Sequence, residues 1–466
     1  MSVIGCGYLG ATHAAAMAEL GHEVIGVDVD AAKVAALNAA DPPFFEPGLR
    51  ELLERTIAAG KLRFSASPRE AADVVNAAVA NGEQPAGVHF LGVGTPQSTD
   101  SYAADVSYVD QAIDELVPLL VGRHIIAGKS TVPVGTAQRL QERVDRIVAD
   151  HQSGNSDSNT QVEIVWNPEF LREGHAIADT LHPDRIVVGA RAGDAGPGGS
   201  QGVPVSAVNV LREVYAQPLA EGTPLLTMNL PTAELVKVSA NAFLATKISF
   251  INAVSEVCEA AGADVAQLAE AIGLDERIGP KFLGAGLGFG GGCLPKDIRA
   301  FMARAGELGV SEALTFLREV DSINRRRRTH LVDMVASALG EVRGKNVTVL
   351  GCAFKPNSDD IRDSPALDVA GQLSLRGAQV SVYDPQAMDN ARHQWPTLTY
   401  ADSLEQALTG AEAVVIGTEW DEFKQLDPAW AAAKVNNRLI FDGRGVIDLQ
   451  KWRTAGWATF ALGHGE

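Results

Sequence analysis

The sequence predicts an α/β protein: two doubly wound, Rossmann-like domains joined by a long central helix within a helical middle domain. Three observations predict it. Strand–turn–helix–strand order recurs at both ends of the chain. Gly5, Gly7 and Gly10 sit between the first strand and the first helix. Residues 232–261 hold neither Gly nor Pro, and their apolar residues recur at helical spacing. At roughly 150 residues per domain, 466 residues suggest about three domains. The expected segments are 1–215, 216–335 and 336–466.

Residues 2–4 are a short apolar run ending in the glycine turn. An alanine-rich helix follows through Leu20 and stops at Gly21, and 23–27 is a second strand ending at Asp28. This is a βαβ unit. Further strands are expected at 88–93, 124–127, 162–165 and 186–188. Gly, Pro, Ser and Asn content marks 80–87, 151–160 and 191–204 as surface loops. The long helix opens a helical middle that runs to about Leu339, broken by glycines at 284–292. Leu235, Val236, Val238, Phe243 and Leu244 imply that this helix is largely buried. Strands at 346–350, 379–383, 413–416 and 438–441, with a helix at 364–375, restore the α/β pattern.

Composition excludes several functions. Lys and Arg number 39 against 58 Asp and Glu, a net charge of −19. That balance opposes binding to nucleic acid or an anionic membrane, and the Arg325, Arg326, Arg327, Arg328 run reads as a solvated helix face. No apolar run approaches the ~18–20 residues that span a bilayer. The first residues lack a basic segment and read as mature structure. Cys6, Cys258, Cys293 and Cys352 lie far apart without metal-ligand spacing. The expectation is a cytoplasmic protein with no structural metal and no disulfide scaffold.

Three groups of residues carry chemistry. In the first, Gly5, Gly7 and Gly10 permit a tight turn, close approach of backbone to a pyrophosphate, and close packing of helix on strand. Asp28 at the next strand end suits a ribose 2′-hydroxyl and repels a 2′-phosphate, favouring NAD over NADP. A P-loop lookalike at Gly122 to Ser130 is rejected: five residues separate Gly122 from Gly128 where the Walker pattern has four, and Ile125 and Ile126 read as strand. Its continuation, Lys129 to Thr136, is a strand end leading into a helix, where ligands of doubly wound sheets bind.

The second group surrounds Cys293. Four of the five residues before it are glycine, which opens an approach for a substrate carbon. Helix onset after Pro295 sets the thiol near a helix N-terminus, a position that favours thiolate. Asp297 follows one turn later and could act on water or a proton. The glycine flanks favour a nucleophile over an inert buried thiol. Cys258, Cys6 and Cys352 lack such surroundings. In the third group, Lys237 and Asn241 share a helix face at i,i+4 spacing. From spacing alone, Lys237 either serves a partner in the interior or snorkels to water. Glu169 follows a strand and could line the same cleft, or not.

Together these residues resemble the UDP-glucose/GDP-mannose dehydrogenases. The likeness runs through Gly5 to Gly10, Phe44 to Leu49, Val93 to Pro96, Ser130 to Thr136 and Asn167 to Leu171. It continues through Ala233 to Lys237 with Asn241, Arg277 to Gly279, the Cys293 loop, Phe354 to Asn357 and Phe441 to Arg444. The resemblance implies an N-terminal NAD-binding domain, a central helix at the core of a homodimer, and a C-terminal domain that helps bind a nucleotide sugar. It implies a four-electron oxidation of a sugar C6 alcohol to a carboxylate with two NAD, through a thiohemiacetal and a thioester on Cys293. Lys237 and Asn241 would stabilise an oxyanion, Asp297 would act on water, and Thr131 and Glu169 would hold that water and shuttle protons. The implied cofactor contacts are Gly5, Gly7, Tyr8, Leu9, Gly10, Asp28, Lys33, Thr95, Thr131 and Lys296. The implied substrate contacts are Glu169, Phe170, Leu171, Lys237, Asn241, Arg277 (from the partner subunit), Phe289, Gly290, Lys355 and Arg444. UDP-glucose is the expected substrate; GDP-mannose, UDP-N-acetylhexosamines and a non-catalytic binding regulator are the alternatives.

Overall fold

A computed structural model describes residues 1–154, 159–191 and 206–464. The chain forms two compact units, Met1–Ser239 and Ala240–Glu466. The boundary falls inside the helix Leu230–Ala261, which confirms the long helix expected from 232–261.

The first unit is built on β1 (Ser2–Ile4), β2 (Val24–Val27), β3 (Leu62–Ser65), β4 (Gly87–Leu91), β5 (Arg123–Gly128), β6 (Gln161–Trp166), β7 (Ile186–Ala190) and β8 (Leu225–Asn229). Their order in the sheet is β3-β2-β1-β4-β5-β6-β7-β8, parallel except between β6 and β7. The strand run reverses direction at β1, so the crevice beyond the ends of β1 and β4 is the place where ligands of such sheets bind. The central strands β1, β2 and β4 bury both faces, and successive residues alternate between two cores. Val3, Phe90 and Ile125 pack on one side; Ile4, Leu91 and Ile126 pack on the other. β3 and β8 were not expected. Both are edge or outer strands with polar residues interleaved, such as Arg63 and Thr227, so neither reads as an apolar run. The helix Thr136–Gly154 takes the first residues assigned to the 151–160 loop. Of the remaining loop assignments, 155–158 and 192–204 lie outside the described residues.

A hydrogen-bonded chain crosses this sheet. The Ser2 hydroxyl meets His89 Nδ1 at 2.7 Å, His89 Nε2 meets His124 Nδ1 at 3.0 Å, and His124 Nε2 meets the Val121 carbonyl at 2.9 Å. The carbonyl only accepts, so one consistent arrangement follows. His124 donates to Val121, His89 donates to His124, and Ser2 donates to His89, with both imidazoles neutral. Burial holds both below the usual histidine range, and neighbouring His13 likewise.

The second unit carries β9 (Asn346–Leu350), β10 (Gln379–Tyr383), β11 (Thr399–Tyr400), β12 (Ala413–Ile416), β13 (Leu439–Asp442) and β14 (Ala458–Ala461). Their order, β11-β10-β9-β12-β13-β14, is that of a dinucleotide-binding sheet, all parallel. Helices Leu294–Glu307 and Phe316–Leu339 precede it. Two expectations are corrected here. The arginine run is not one solvated face: Arg327 and Arg328 are buried, Arg327 against Glu259 at 2.9 Å and Arg328 against Asp363 at 2.9 Å. Adjacent helical residues point about 100° apart, so four in a row cannot share one exposure. Nor is the long helix buried all round. Phe243, Phe250 and Val257, seven residues apart, are 65%, 55% and 65% exposed. Among the described residues no helix is long and apolar enough to cross a membrane, and no cluster of ligating side chains is placed to hold a metal.

The buried histidines make stability depend on pH. Their folded pKa values lie below the unfolded one near 6.5, so below that pH the unfolded chain binds more protons. Melting temperature is therefore expected to fall as pH drops from about 7 to about 5, each such histidine contributing up to ~1.4 kcal/mol per pH unit. Differential scanning calorimetry checks it: His89→Gln should flatten the slope, and an unchanged slope would contradict this account.

Candidate active site

At the first unit's crevice, the helix Tyr8–Glu19 begins at Gly7 with no side-chain cap and no acidic residue in its first turn. Its leading N–H groups are thus left for an anion. A Cβ on Gly10 would lie 1.8 Å from the Gly5 carbonyl oxygen, so only glycine lets the helix pack this closely. Asp28 ends β2. It accepts from the Cys6 N–H at 2.9 Å and pairs with Lys33 at 3.0 Å. An open, uncapped turn beside a fixed carboxylate fits the diphosphate and ribose of NAD. Thr95 lies on the loop after β4, where its hydroxyl donates to the Thr131 carbonyl at 2.8 Å.

Two further loops of this unit are held by the long helix. Buried Glu234 accepts from the N–H groups of Gly135 and Ala137, each at 2.7 Å, and so fixes the turn after Thr131. One turn on, Lys237 pairs with Glu169 at 3.0 Å. Lys237 is 6% exposed, so it serves an internal partner rather than snorkelling. The other Glu169 oxygen accepts from the Leu171 N–H at 2.7 Å, which orients the carboxylate. Phe170 lies beside the pair, with the Arg185 guanidinium 3.9 Å from its ring centroid and Lys237 Nζ at 5.7 Å.

In the second unit, Cys293 is the N-cap of the helix Leu294–Glu307 and is exposed, whereas Cys6, Cys258 and Cys352 are buried. Burial pushes the Cys6 and Cys352 thiols up, away from the reactive form. Asp297 is 1% exposed; its carboxylate accepts from Asn241 Nδ2 at 2.7 Å and pairs with Lys296 at 2.7 Å. Asn241 and Asp297 thus form one hydrogen-bonded group at the base of the cysteine's helix.

The loop before Cys293 is clamped by residues that sequence reasoning missed. Asn324 accepts from the Phe289 N–H at 2.8 Å and donates to the Phe289 carbonyl at 2.9 Å. Arg328, one turn further along its helix, donates to the same carbonyl at 3.1 Å. Gly288 has φ +84°, and a Cβ there would lie 2.1 Å from Asn324 Oδ1. Asn252 receives the Gly286 N–H at 2.8 Å. The Phe289 ring packs with Ala245, Ile298 and Leu317, so with its backbone groups taken it anchors the loop. Gly290 lies against the Asp363 carbonyl. Arg444 donates to the carbonyls of Gly417, Gly288 and Phe354 at 2.8, 2.9 and 3.3 Å, committing three of its five N–H groups to backbone. Lys355 Nζ lies 5.3 Å from the Phe354 ring centroid. Arg277, 85% exposed, pairs with its neighbour Asp275 at 2.6 Å.

Family models now decide the classification. The UDP-glucose/GDP-mannose dehydrogenase models match over 1–217 (NAD binding domain), 231–326 (central domain) and 348–449 (UDP binding domain). The chain belongs to that family. As a member of the UDP-glucose/GDP-mannose dehydrogenases it is an NAD-dependent oxidoreductase. It is 40% identical to a UDP-glucose 6-dehydrogenase of Rhizobium meliloti, over 96% of this chain and 95% of that one. It is 36% identical to UDP-glucose 6-dehydrogenase YwqF of Bacillus subtilis, over 99% and 97%. The solved UDP-glucose dehydrogenase of Pyrobaculum islandicum matches with a TM-score of 0.83 at 38% identity, over 98% of this chain and 97% of that one.

The clamp yields a stability prediction. Asn324→Leu keeps the branching and the number of side-chain heavy atoms but strips two bonds from a buried backbone, and should cost about 2–4 kcal/mol of unfolding free energy. Exposed Arg325→Leu should change it by no more than ~0.5 kcal/mol. Denaturant unfolding of both variants measures the contrast, and equal effects would refute the clamp.

Proposed function

We propose that this family member oxidises the C6 alcohol of UDP-glucose to the carboxylate of UDP-glucuronate, consuming two NAD. The observation that carries the reading is the exposed Cys293 on a helix N-cap, with the Asn241–Asp297 pair at the base of the same helix. The names of the relatives support the choice of sugar nucleotide. Bound NAD would accept hydride; the residues to hold it are Gly5, Gly7, Tyr8, Leu9, Gly10, Asp28, Lys33, Thr95, Thr131 and Lys296.

In this reading the alcohol loses hydride and a proton to give an aldehyde. The Cys293 thiolate adds to its carbon, forming a C–S bond and a thiohemiacetal. Loss of a second hydride leaves a thioester, and water cleaves the C–S bond to release carboxylate and thiol. Lys237 and Asn241 would donate to the oxygen where negative charge develops, a class of contact worth about 2.7–4 kcal/mol of barrier each. Asp297 would orient the hydrolytic water, with Glu169 and Thr131 passing its proton. Phe170, Leu171, Gly290, Lys355 and Arg444 would contact the nucleotide sugar. The active form would be a cytoplasmic homodimer, with Arg277 of one chain serving the other. The stripe of Phe243, Phe250 and Val257 is the apolar face that such a dimer would bury.

Purified protein with UDP-glucose should yield two NADH per sugar, read by absorbance against product, and Cys293→Ser should abolish steady-state formation of the carboxylate. One NADH with free aldehyde would contradict the thiol route. Phe250→Glu should shift the protein from dimer to monomer in sedimentation velocity; an unchanged mass would remove the stripe from the interface.

A further inference from the structure

Lys129, the lysine of the rejected P-loop lookalike, is the least expected charge in the first unit. It is 8% exposed, yet among the described residues no carboxylate pairs with it. Its ammonium donates instead to Asn167 Oδ1 at 3.2 Å and to the Tyr215 hydroxyl at 3.4 Å. It lies 5.9 Å from the ring centroids of both Phe90 and Tyr215. A buried ammonium whose hydrogen-bond partners here are neutral is costly, so its presence calls for a use.

The backbone around it is tied to the turn that carries Glu169. Asn167 and Glu169 both lie on the turn that follows β6. The Asn167 N–H donates to the Gly128 carbonyl at 2.8 Å, and the Glu169 N–H to the Lys129 carbonyl at 3.4 Å. The Asn167 side chain donates to the Val187 carbonyl at 2.8 Å while its Oδ1 also accepts from Tyr215 at 2.7 Å. Lys129 therefore grips this turn by main chain and side chain together, and the turn presents Glu169 to Lys237.

We propose that Lys129 is a positioning residue for the oxidation, fixing the turn that aims Glu169 at Lys237 and placing a positive charge behind that pair. It touches neither substrate nor cofactor in this account, which rests on the functional reading above. The groups facing it are His13 from the helix Tyr8–Glu19, Tyr215, Glu169 and Lys237. His13 is buried with its Nε2 unpartnered and is kept neutral by burial and by Lys129. Burial pulls Lys129 down to about 8, opposed by the charge of Glu169 and assisted by that of Lys237. The positive charge is thus present at pH 7 and fades above pH 8.

The test is kcat and KM for UDP-glucose and NAD in wild type and Lys129→Met, from about pH 6.5 to about 9.5. At pH 7 the variant should lose about tenfold or more in kcat with both KM values within about threefold. The ratio of wild type to variant should shrink above pH 8, as the wild-type ammonium deprotonates. A ratio that is constant across pH, or equal to one, overturns the proposal. Should Lys129→Met not fold, Tyr215→Phe keeps the lysine and removes one acceptor of its proton. Its alkaline activity limit should then move to lower pH, and an unmoved limit overturns the proposal equally. A wild type that oxidises no nucleotide sugar would overturn the functional reading and this inference with it. A turning-over wild type matched by its variant overturns this inference alone.

Discussion

A run of glycines cannot hold itself in place, and the loop before Cys293 is such a run. Glycine loses more conformational freedom on ordering than any other residue, so the loop's shape must be imposed by its neighbours. The imposed bonds come from every side: Asn252 on Gly286, the Gly443 carbonyl on Leu287, Arg444 on Gly288, Asn324 and Arg328 on Phe289, and the Arg362 carbonyl on Gly291. Successive backbone groups are thereby tied to elements that are themselves buried. A bare loop gives a substrate room at the thiol, and the clamp confines that thiol to one position at its helix end.

The first unit meets the same need by a different route. Its candidate site residues Thr131 and Glu169 sit on loops at the carboxyl ends of β5 and β6, and loops of a parallel sheet have no neighbouring strand to pair with. The long helix supplies the missing partners at i,i+3 spacing, Glu234 to the loop after β5 and Lys237 to the loop after β6. Both of these helix side chains are nearly excluded from water. Each charged group is consequently matched by charge or by backbone N–H, because an unmatched one would cost several kcal/mol.

This distinction explains what could be read from the sequence. The glycine turn, the placing of Asp28 against it and the helix-end position of Cys293 were legible because each depends on a spacing of a few residues. The i,i+4 pairing of Lys237 with Asn241 was legible as a shared face, but the partner of Lys237 was not, since Glu169 is far away in sequence. Asn324, Arg328, Glu234 and Lys129 were missed for the same reason: each acts on backbone or side chains that only the fold brings near. The arginine run misled because composition averages four side chains that a helix sends in four directions. Phe243 misled because an apolar residue was taken as a buried one, whereas its repeat at Phe250 and Val257 marks a face left uncovered.

The two Rossmann-like sheets show how far topology alone leads. Both place an aspartate at the end of the second strand, Asp28 after β2 and Asp384 after β10, and both aim it at the turn after the first strand. Asp28 takes two backbone N–H groups, from Cys6 and Asp30, and the Lys33 ammonium at both of its oxygens. Asp384 takes five N–H donors, from Cys352, Ala353, Gln386, Ala387 and the Trp420 indole, at 2.7–3.0 Å. A carboxylate offers about four lone-pair sites, so both aspartates are fully engaged, and the difference lies in the helices that follow: Tyr8–Glu19 starts without a side-chain cap, whereas Pro365–Leu375 is capped by Ser364. The same strand order therefore leads into one helix N-terminus left open for an anion and one that its own side chain already caps. The assignment of the cofactor to the first sheet rests on that open helix end and on the match of residues 1–217 to the family's NAD binding domain, because the fold the sheets share would allow either.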